Sequence, residues 1–119
     1  MPISQMSVFE TLFVLPAAGR PWASVAEGVR RQVLTHDEQT MLVKVAFDCG
    51  GIGARHQHVH TQLSYVESGV FALGVEDEPL RVLRAGDSFY IPSEVWHGVE
   101  CLEAGVLLDV FSPARADFL

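Results

Sequence analysis

Short apolar or alternating runs recur along the chain, and each is closed by a glycine, proline or acidic turn. The runs are Thr40–Phe47, Leu63–Val66, Val70–Val75, Leu80–Leu83, Ser88–Ile91, Gly98–Leu102 and Val106–Phe111. Between them stand Asp48-Cys49-Gly50-Gly51, Glu67-Ser68-Gly69, Glu76-Asp77-Glu78-Pro79, Ala85-Gly86-Asp87, Pro92-Ser93 and Glu103-Ala104-Gly105. Many short strands punctuated in this way predict an all-β sandwich or barrel. Helical periodicity is weak throughout; the best helix candidate is the short stretch Arg20–Val25, with a proline near its start. The run Val8–Leu15 has the β-branched and aromatic content of an extra strand, one that could pair with another subunit. Residues 1–28 are therefore expected as an N-terminal arm or extra strand. Residues 29–119 are expected as one antiparallel barrel, with an interior that holds one small ligand.

Within this β pattern stand three histidines on alternate positions, His56, His58 and His60, followed by Gln62 and, after a turn at Pro92, by His97. In an extended strand, residues two apart share a face. His56 and His58 would then present two imidazoles side by side, and a strand continuing to Gln62 would keep its amide on the same side. Imidazole suits a divalent transition ion, and an amide oxygen can fill a further position. The bland alternatives are a surface loop that binds metal adventitiously and, for Gln62, a glutamine that satisfies a barrel neighbour. His36 falls in the polar stretch Thr35–Thr40, expected as a turn, and is given no role; none is assigned to His60.

Composition narrows the classes. A chain of 119 residues that is 49% hydrophobic can bury a core as a single domain and is not disordered. The formal net charge of −7, with Lys44 the sole lysine, leaves no basic stripe for nucleic acid. No apolar run approaches a membrane span and no leader pattern opens the chain, so a soluble cytoplasmic protein is expected. Cys49 and Cys101 lack C-x-x-C spacing and are expected as reduced thiols.

The spacing of these residues resembles the two motifs of the cupins, small jelly-roll barrels. Gly50, His56, His58, Gln62 and Gly69 fit G-x5-H-x-H-x3-E-x6-G, with Gln62 in the glutamate position. Gly86, Pro92 and His97 fit G-x5-P-x-G-x2-H, with Glu94 in the place of the third glycine and Cys101 in that of a trailing asparagine. The segments HVHTQ (58–62), RAGDSFYIP (84–92) and above all LDVFSPARADFL (108–119) look like the pectin-degradation cupins. Gln57, Val59 and Ala116 depart from that pattern. The resemblance implies a cupin barrel that opens 4,5-unsaturated uronates, released by pectate or alginate lyases, to linear 5-keto-4-deoxyuronates. It puts one divalent metal ion (nickel, zinc, manganese or iron) on His56, His58, Gln62 and His97. It puts catalytic or substrate-contacting roles on Asp109, Phe111 and Arg115, and it implies a homodimer.

The residues themselves suit such chemistry. Three neutral imidazoles and a neutral amide leave a divalent ion its full charge, a Lewis acid that attracts an anionic ligand such as a sugar acid. Asp109 interrupts an apolar run and shares strand parity with Leu107 and Phe111, an arrangement that is costly unless the carboxyl group is paired or used. It could relay a proton, or be a structural aspartate tied to backbone donors or to Arg115. Arg115, beyond Pro113, could close over the barrel mouth and clamp a carboxylate through its fork. Tyr65, Tyr90 and Trp96 are further pocket candidates, with core packing as their ordinary role. Two other classes fit the three-histidine set, an oxygen-activating iron cupin and a non-catalytic sugar-binding module, and fold alone does not separate them.

Overall fold

A computed structural model describes residues 13–119 of the chain. Among the described residues eight strands follow one another: β1 (Ala23–Ala26), β2 (Val29–His36), β3 (Met41–Phe47), β4 (Ile52–His56), β5 (Thr61–Val75), β6 (Arg81–Arg84), β7 (Ser88–Ile91) and β8 (His97–Ser112). A 3-10 turn, Ala116–Phe118, follows β8. Every strand pairing is antiparallel. This is the all-β jelly-roll barrel expected of a cupin.

Two long strands organise it. The N-terminal half of β5 pairs with β7 and its C-terminal half with β6. The C-terminal half of β8 pairs with β3 and its N-terminal half with β4, while β5 and β8 pair along nearly their whole lengths. Each long strand therefore changes its outer partner along its length, and the eight strands form one continuous sheet. The turns expected at Glu67-Ser68-Gly69 and Glu103-Ala104-Gly105 are instead two facing irregularities where the β5–β8 register shifts. Gly69 has φ +84°, and a Cβ there would meet the Glu103 carbonyl oxygen at 2.6 Å. Glycine is required because two backbones touch.

The irregularity also switches which residues face inward. Before it, the even positions Gln62, Ser64 and Val66 are buried; after it, the odd positions Phe71 and Leu73 are. One apolar cluster gathers Val29, Phe47, Val66, Phe71, Cys101 and Leu107, and a second gathers Met41, Val43, Phe111 and Ala114. Leu63, Tyr65 and Tyr90 lie outside, each more than two-fifths exposed, as does Trp96. These aromatics are thus neither core nor cavity lining, contrary to expectation.

Three other expectations change, and one falls largely outside the described residues. Arg20–Val25 is not a helix: Ala23–Ala26 is strand β1, paired with β2. So short a helix would have little to set against its nucleation cost, and edge pairing wins. Thr35 and His36 belong to β2, so the turn expected over Thr35–Thr40 starts at Asp37, whose carboxylate accepts from the Gln39 and Thr40 N–H groups. The Val8–Leu15 run lies outside the described residues up to position 12, and residues 13–15 form no strand. Finally, no continuous strand joins His56 to Gln62: β4 ends at His56 and β5 begins at Thr61.

Candidate metal centre and cavity

The histidines reach one place from three separate pieces of backbone. His56 ends β4 and is the direct cross-strand partner of His97, the first residue of β8, with ring centroids 4.5 Å apart. His58 lies in the connection before β5, where the Glu94 N–H donates to its carbonyl at 2.8 Å and ties the two histidine segments together. Its ring stands 5.2 Å from that of His56 and 4.9 Å from that of His97. Ligand atoms of His56, His58 and His97 all lie within 4.8 Å of one another, so the three could hold a metal ion.

Each imidazole is oriented by a carbonyl close in sequence. His56 Nδ1 lies 2.7 Å from the Ala54 oxygen, His58 Nδ1 2.8 Å from that of His60, and His97 Nδ1 2.9 Å from that of Val95. Donation from Nδ1 fixes the tautomer and leaves Nε2 as the free lone pair, the arrangement common to metal-binding histidines. Burial, opposed in part by the hydrogen bond to Val95, lowers the His97 pKa to about 4. Burial likewise lowers that of His56. Both rings are neutral near pH 7, as ligands must be.

Gln62 sits on β5 with its Oε1 3.1 Å from His58 Nε2. Its Nε2 donates to Ser64 Oγ at 3.0 Å, and that hydroxyl donates to Asp109 Oδ1 at 2.6 Å. The direction of this file is forced: a serine whose proton goes to a carboxylate must accept from the amide, so the amide oxygen turns toward the histidines. With Nδ1–H of His58 given to a carbonyl, a neutral ring opposes its lone pair to that oxygen with no proton between them. The buried Nε2 of His97 has no hydrogen-bond partner at all. A cation satisfies all of these lone pairs together, so the donor set fits a divalent transition ion.

Asp109 is 7% exposed, and burial pushes its pKa up from 3.8 to about 6 against the opposing Ser64 hydrogen bond and the Arg115 charge. It is paired with Ser64 rather than with backbone donors or Arg115. Ser64 was not singled out by sequence reasoning, although its even spacing from Gln62 and Val66, between the outward Leu63 and Tyr65, is the signal that marks it.

A cavity of about 360 Å³ opens beside this file, lined by His56, Gln62, His97, Asp109, Phe111 and Arg115 among others. That volume lies within the range of small-molecule sites. Arg115 does reach the cavity, but it is already engaged: Nε and Nη2 donate to the two Asp117 oxygens at 3.1 and 2.9 Å. That pairing holds the Asp117 carboxyl below the usual carboxylate range. The Arg115 guanidinium also lies 5.2 Å from the centroid of Phe111, the cross-strand partner of Gln62. Residues of both histidine segments, of β8 and of the C-terminal segment thus lie together at this cavity. His60 stands apart from the triad, 5.6 Å from the His58 ring and 6.4 Å from that of Phe111. Cys49 and Cys101 are free thiols, exposed and buried respectively.

Among the described residues no helix is long and apolar enough to cross a membrane. The family model for the cupin domain matches residues 43–111, a span that carries both histidine segments and Asp109. The chain is 43% identical over 101 residues to the pectin degradation protein KdgF of Dickeya dadantii (strain 3937), covering 83% of this chain and 91% of that one. The crystal structure of an RmlC-like cupin from Shewanella frigidimarina superposes with a TM-score of 0.87 at 40% identity, over 93% of this chain and 99% of that one. KdgF from a Halomonas species gives a TM-score of 0.82 at 38% identity, over 87% and 96%. The paired histidine segments, the barrel around them and these likenesses have one reading: the chain belongs to the cupins, among the relatives of the pectin-degradation cupins.

Proposed function

We propose that this cupin opens the ring of 4,5-unsaturated uronate monosaccharides, giving the linear 5-keto-4-deoxyuronate. The observation that carries the reading is a buried carboxylate, Asp109, lining the same small cavity as a guanidinium and as His56 and His97 of the three-histidine cluster. Likeness to KdgF of Dickeya dadantii, named a pectin degradation protein, supports the substrate class.

The reaction is an isomerisation. The anomeric hydroxyl loses its proton, C1 becomes a carbonyl, the bond from C1 to the ring oxygen breaks, and the resulting enolate gains a proton at C4. Asp109 is the group proposed to take the first proton and return it at C4. A carboxyl group with a pKa of about 6 is mostly ionised at pH 7, yet its conjugate acid still donates readily. Ser64 holds one carboxylate oxygen and leaves the other for substrate. Phe111 shapes the cavity and excludes water near Asp109, and Arg115 places positive charge where a sugar carboxylate would lie. His56, His58, His97 and the Gln62 oxygen would hold the divalent ion, which supplies Lewis-acid stabilisation of substrate oxyanions when bound.

Ultraviolet absorbance of freshly lyase-generated unsaturated uronate provides the test, since the conjugated enoate absorbs and the keto product does not. Loss well above the spontaneous rate with metal-loaded protein is the expected result. A rate equal to background with both pectin- and alginate-derived sugars would overturn the reading, and iron-dependent oxygen uptake would then point to an oxygenase.

A further inference from the structure

Strand β2 puts a second cation into the cavity. Val29 lies in the first apolar cluster and Val33 packs on the second, and between them on the same strand face stands Arg31, half-buried and lining the cavity. Its guanidinium carbon lies 3.7 Å from the Phe118 ring centroid, and that of Arg115 lies 4.3 Å from the same centroid. The two cations can be no further apart than the sum of those distances. One carboxylate, Asp117, serves this pair, and Arg115 holds both of its oxygens. Among the described residues no carboxylate lies within ion-pair distance of Arg31, whose pKa is lowered by burial and then by the Arg115 charge. Arginine remains cationic regardless. Desolvating a second like charge beside the first is unfavourable unless an anion completes the cluster.

We propose that Arg31 is the residue that recognises the carboxylate of the sugar acid, with Arg115, Asp117 and Phe118 as the frame that holds it. The inference rests on the ring-opening reading for its substrate, though not for its anion site. Arg115 keeps some donors beyond the two given to Asp117, but its fork is occupied; the Arg31 guanidinium has its planar donors unspent. Phe118 restricts that guanidinium to few orientations, so little rotamer freedom is lost when it binds. The rival role is structural, with Arg31 merely pinning the C-terminal turn through Phe118.

Acid-over-neutral preference separates the two roles. Galacturonate and galactose, neither of which has the reactive double bond, are titrated by calorimetry into the wild-type protein, Arg31→Leu and Arg31→Lys. The wild type is expected to bind the acid at least about tenfold more tightly than the neutral sugar, and Arg31→Leu to bring the two together. Arg31→Lys keeps a charge without the fork and is expected to recover only part of the preference. In the ring-opening assay Arg31→Leu should raise KM about ten- to a hundredfold while kcat falls by less than tenfold. A purely structural arginine would weaken acid and neutral sugar alike, so an unchanged preference in a folded Arg31→Leu overturns the proposal. So does a wild type with no preference for the acid. Should Arg31→Leu not fold, full wild-type preference in Arg31→Lys would count against it equally. Should the wild type bind galacturonate selectively yet leave the enoate untouched, the ring-opening reading fails and the anion site stands.

Discussion

His56, His58 and His97 are each oriented by a carbonyl only two residues away, whereas Gln62, Ser64 and Asp109 are joined by a bond that spans 45 positions of sequence. The first set needs only a local backbone bend at each ring, repeated three times, and then one strand register to bring His56 opposite His97. The second exists only because β5 and β8 pair so that Ser64 faces Asp109 and Gln62 faces Phe111. The two sets also differ in charge. Burial lowers the pKa of His56 and of His97, while it raises that of the Asp109 carboxyl group to about 6. A cavity built this way can separate its duties: binding of the ion rests on the locally oriented rings, and proton transfer rests on the long-range file.

The sharpest way to break this division is Asp109→Asn. Replacing a proton-transfer carboxylate by its isostere should lower kcat by about 10²- to 10⁴-fold. Metal content, measured by elemental analysis after gel filtration, should stay at the wild-type level because none of the three histidines leans on Asp109. Loss of metal together with activity would show that the two sets are one unit.

Gly105→Ala attacks the register itself. A Cβ there would run into the Ser68 carbonyl oxygen and the Gly69 Cα, backbone atoms that cannot step aside. We expect a loss of about 3 kcal/mol in denaturant unfolding. The folded remainder should keep metal and lose activity, since position 105 lies between His97 and Asp109 on β8. Equal loss of both would place the histidine cluster under the same long-range control.

Asp109 also gives stability a pH dependence of definite sign. Its native pKa of about 6 exceeds the ordinary 3.8, so the metal-free native chain binds this proton more tightly than the unfolded chain does. The stabilisation is complete below the unfolded value, is lost as pH rises through the native one, and amounts to roughly 3 kcal/mol across that window. Asp109→Asn, which cannot titrate, should therefore gain on the metal-free wild type by about that amount between pH 4 and pH 8, read from urea midpoints. A constant difference would mean that Asp109 is not desolvated.

How far each set could be read in the sequence follows from the same contrast. His56, His58, Gln62 and His97 stand out by spacing, although one continuous strand face does not unite them. The strand is interrupted over Gln57–His60, and His58 sits in a connection rather than on a shared strand face. Asp109 was visible as an acid in an apolar run. Its partner Ser64 was not, because a serine announces itself only once the strand register is known. Strand β7 was legible to the residue, Ser88–Ile91, because turns bound it on both sides. β5 and β8 were each read as two strands, since glycine-centred turn signals and glycine-centred bulges use the same residues. Arg31 shares strand parity with Val29 and Val33, the same signal that marks Asp109, but Arg30 and Gln32 beside it leave no apolar run to show the strand.

Ser64→Ala tests the link between the sets. Without its hydroxyl the Gln62 amide loses the acceptor that fixes its orientation, and the Asp109 carboxylate loses the donor that opposes its upward shift. Metal affinity should fall about ten- to a hundredfold, the range for removing a group that orients a ligand. The acidic limb of the pH–rate profile should move upward, because a donor that favoured the ionised form is gone. A metal-affinity change without the pH shift would confine Ser64 to the ligand side.

The smallest effect is expected where the histidine segments meet. Glu94 occupies a motif position that favours glycine and has φ +65°, in the left-handed region that non-glycine residues adopt only with strain. It tolerates that geometry while its N–H donates to the His58 carbonyl, the bond that docks the β7–β8 turn beside the metal-binding rings. Glu94→Gly removes a strain of about 1–2 kcal/mol. It also adds backbone freedom to the unfolded chain, which offsets up to about 1 kcal/mol of that gain. A net stabilisation of about 1 kcal/mol or less in thermal unfolding is therefore expected, with metal affinity held because the docking bond involves only backbone atoms. A loss of stability instead would mean that the Glu94 side chain itself supports the turn, so that even this locally built half of the cavity depends on a contact its spacing does not disclose.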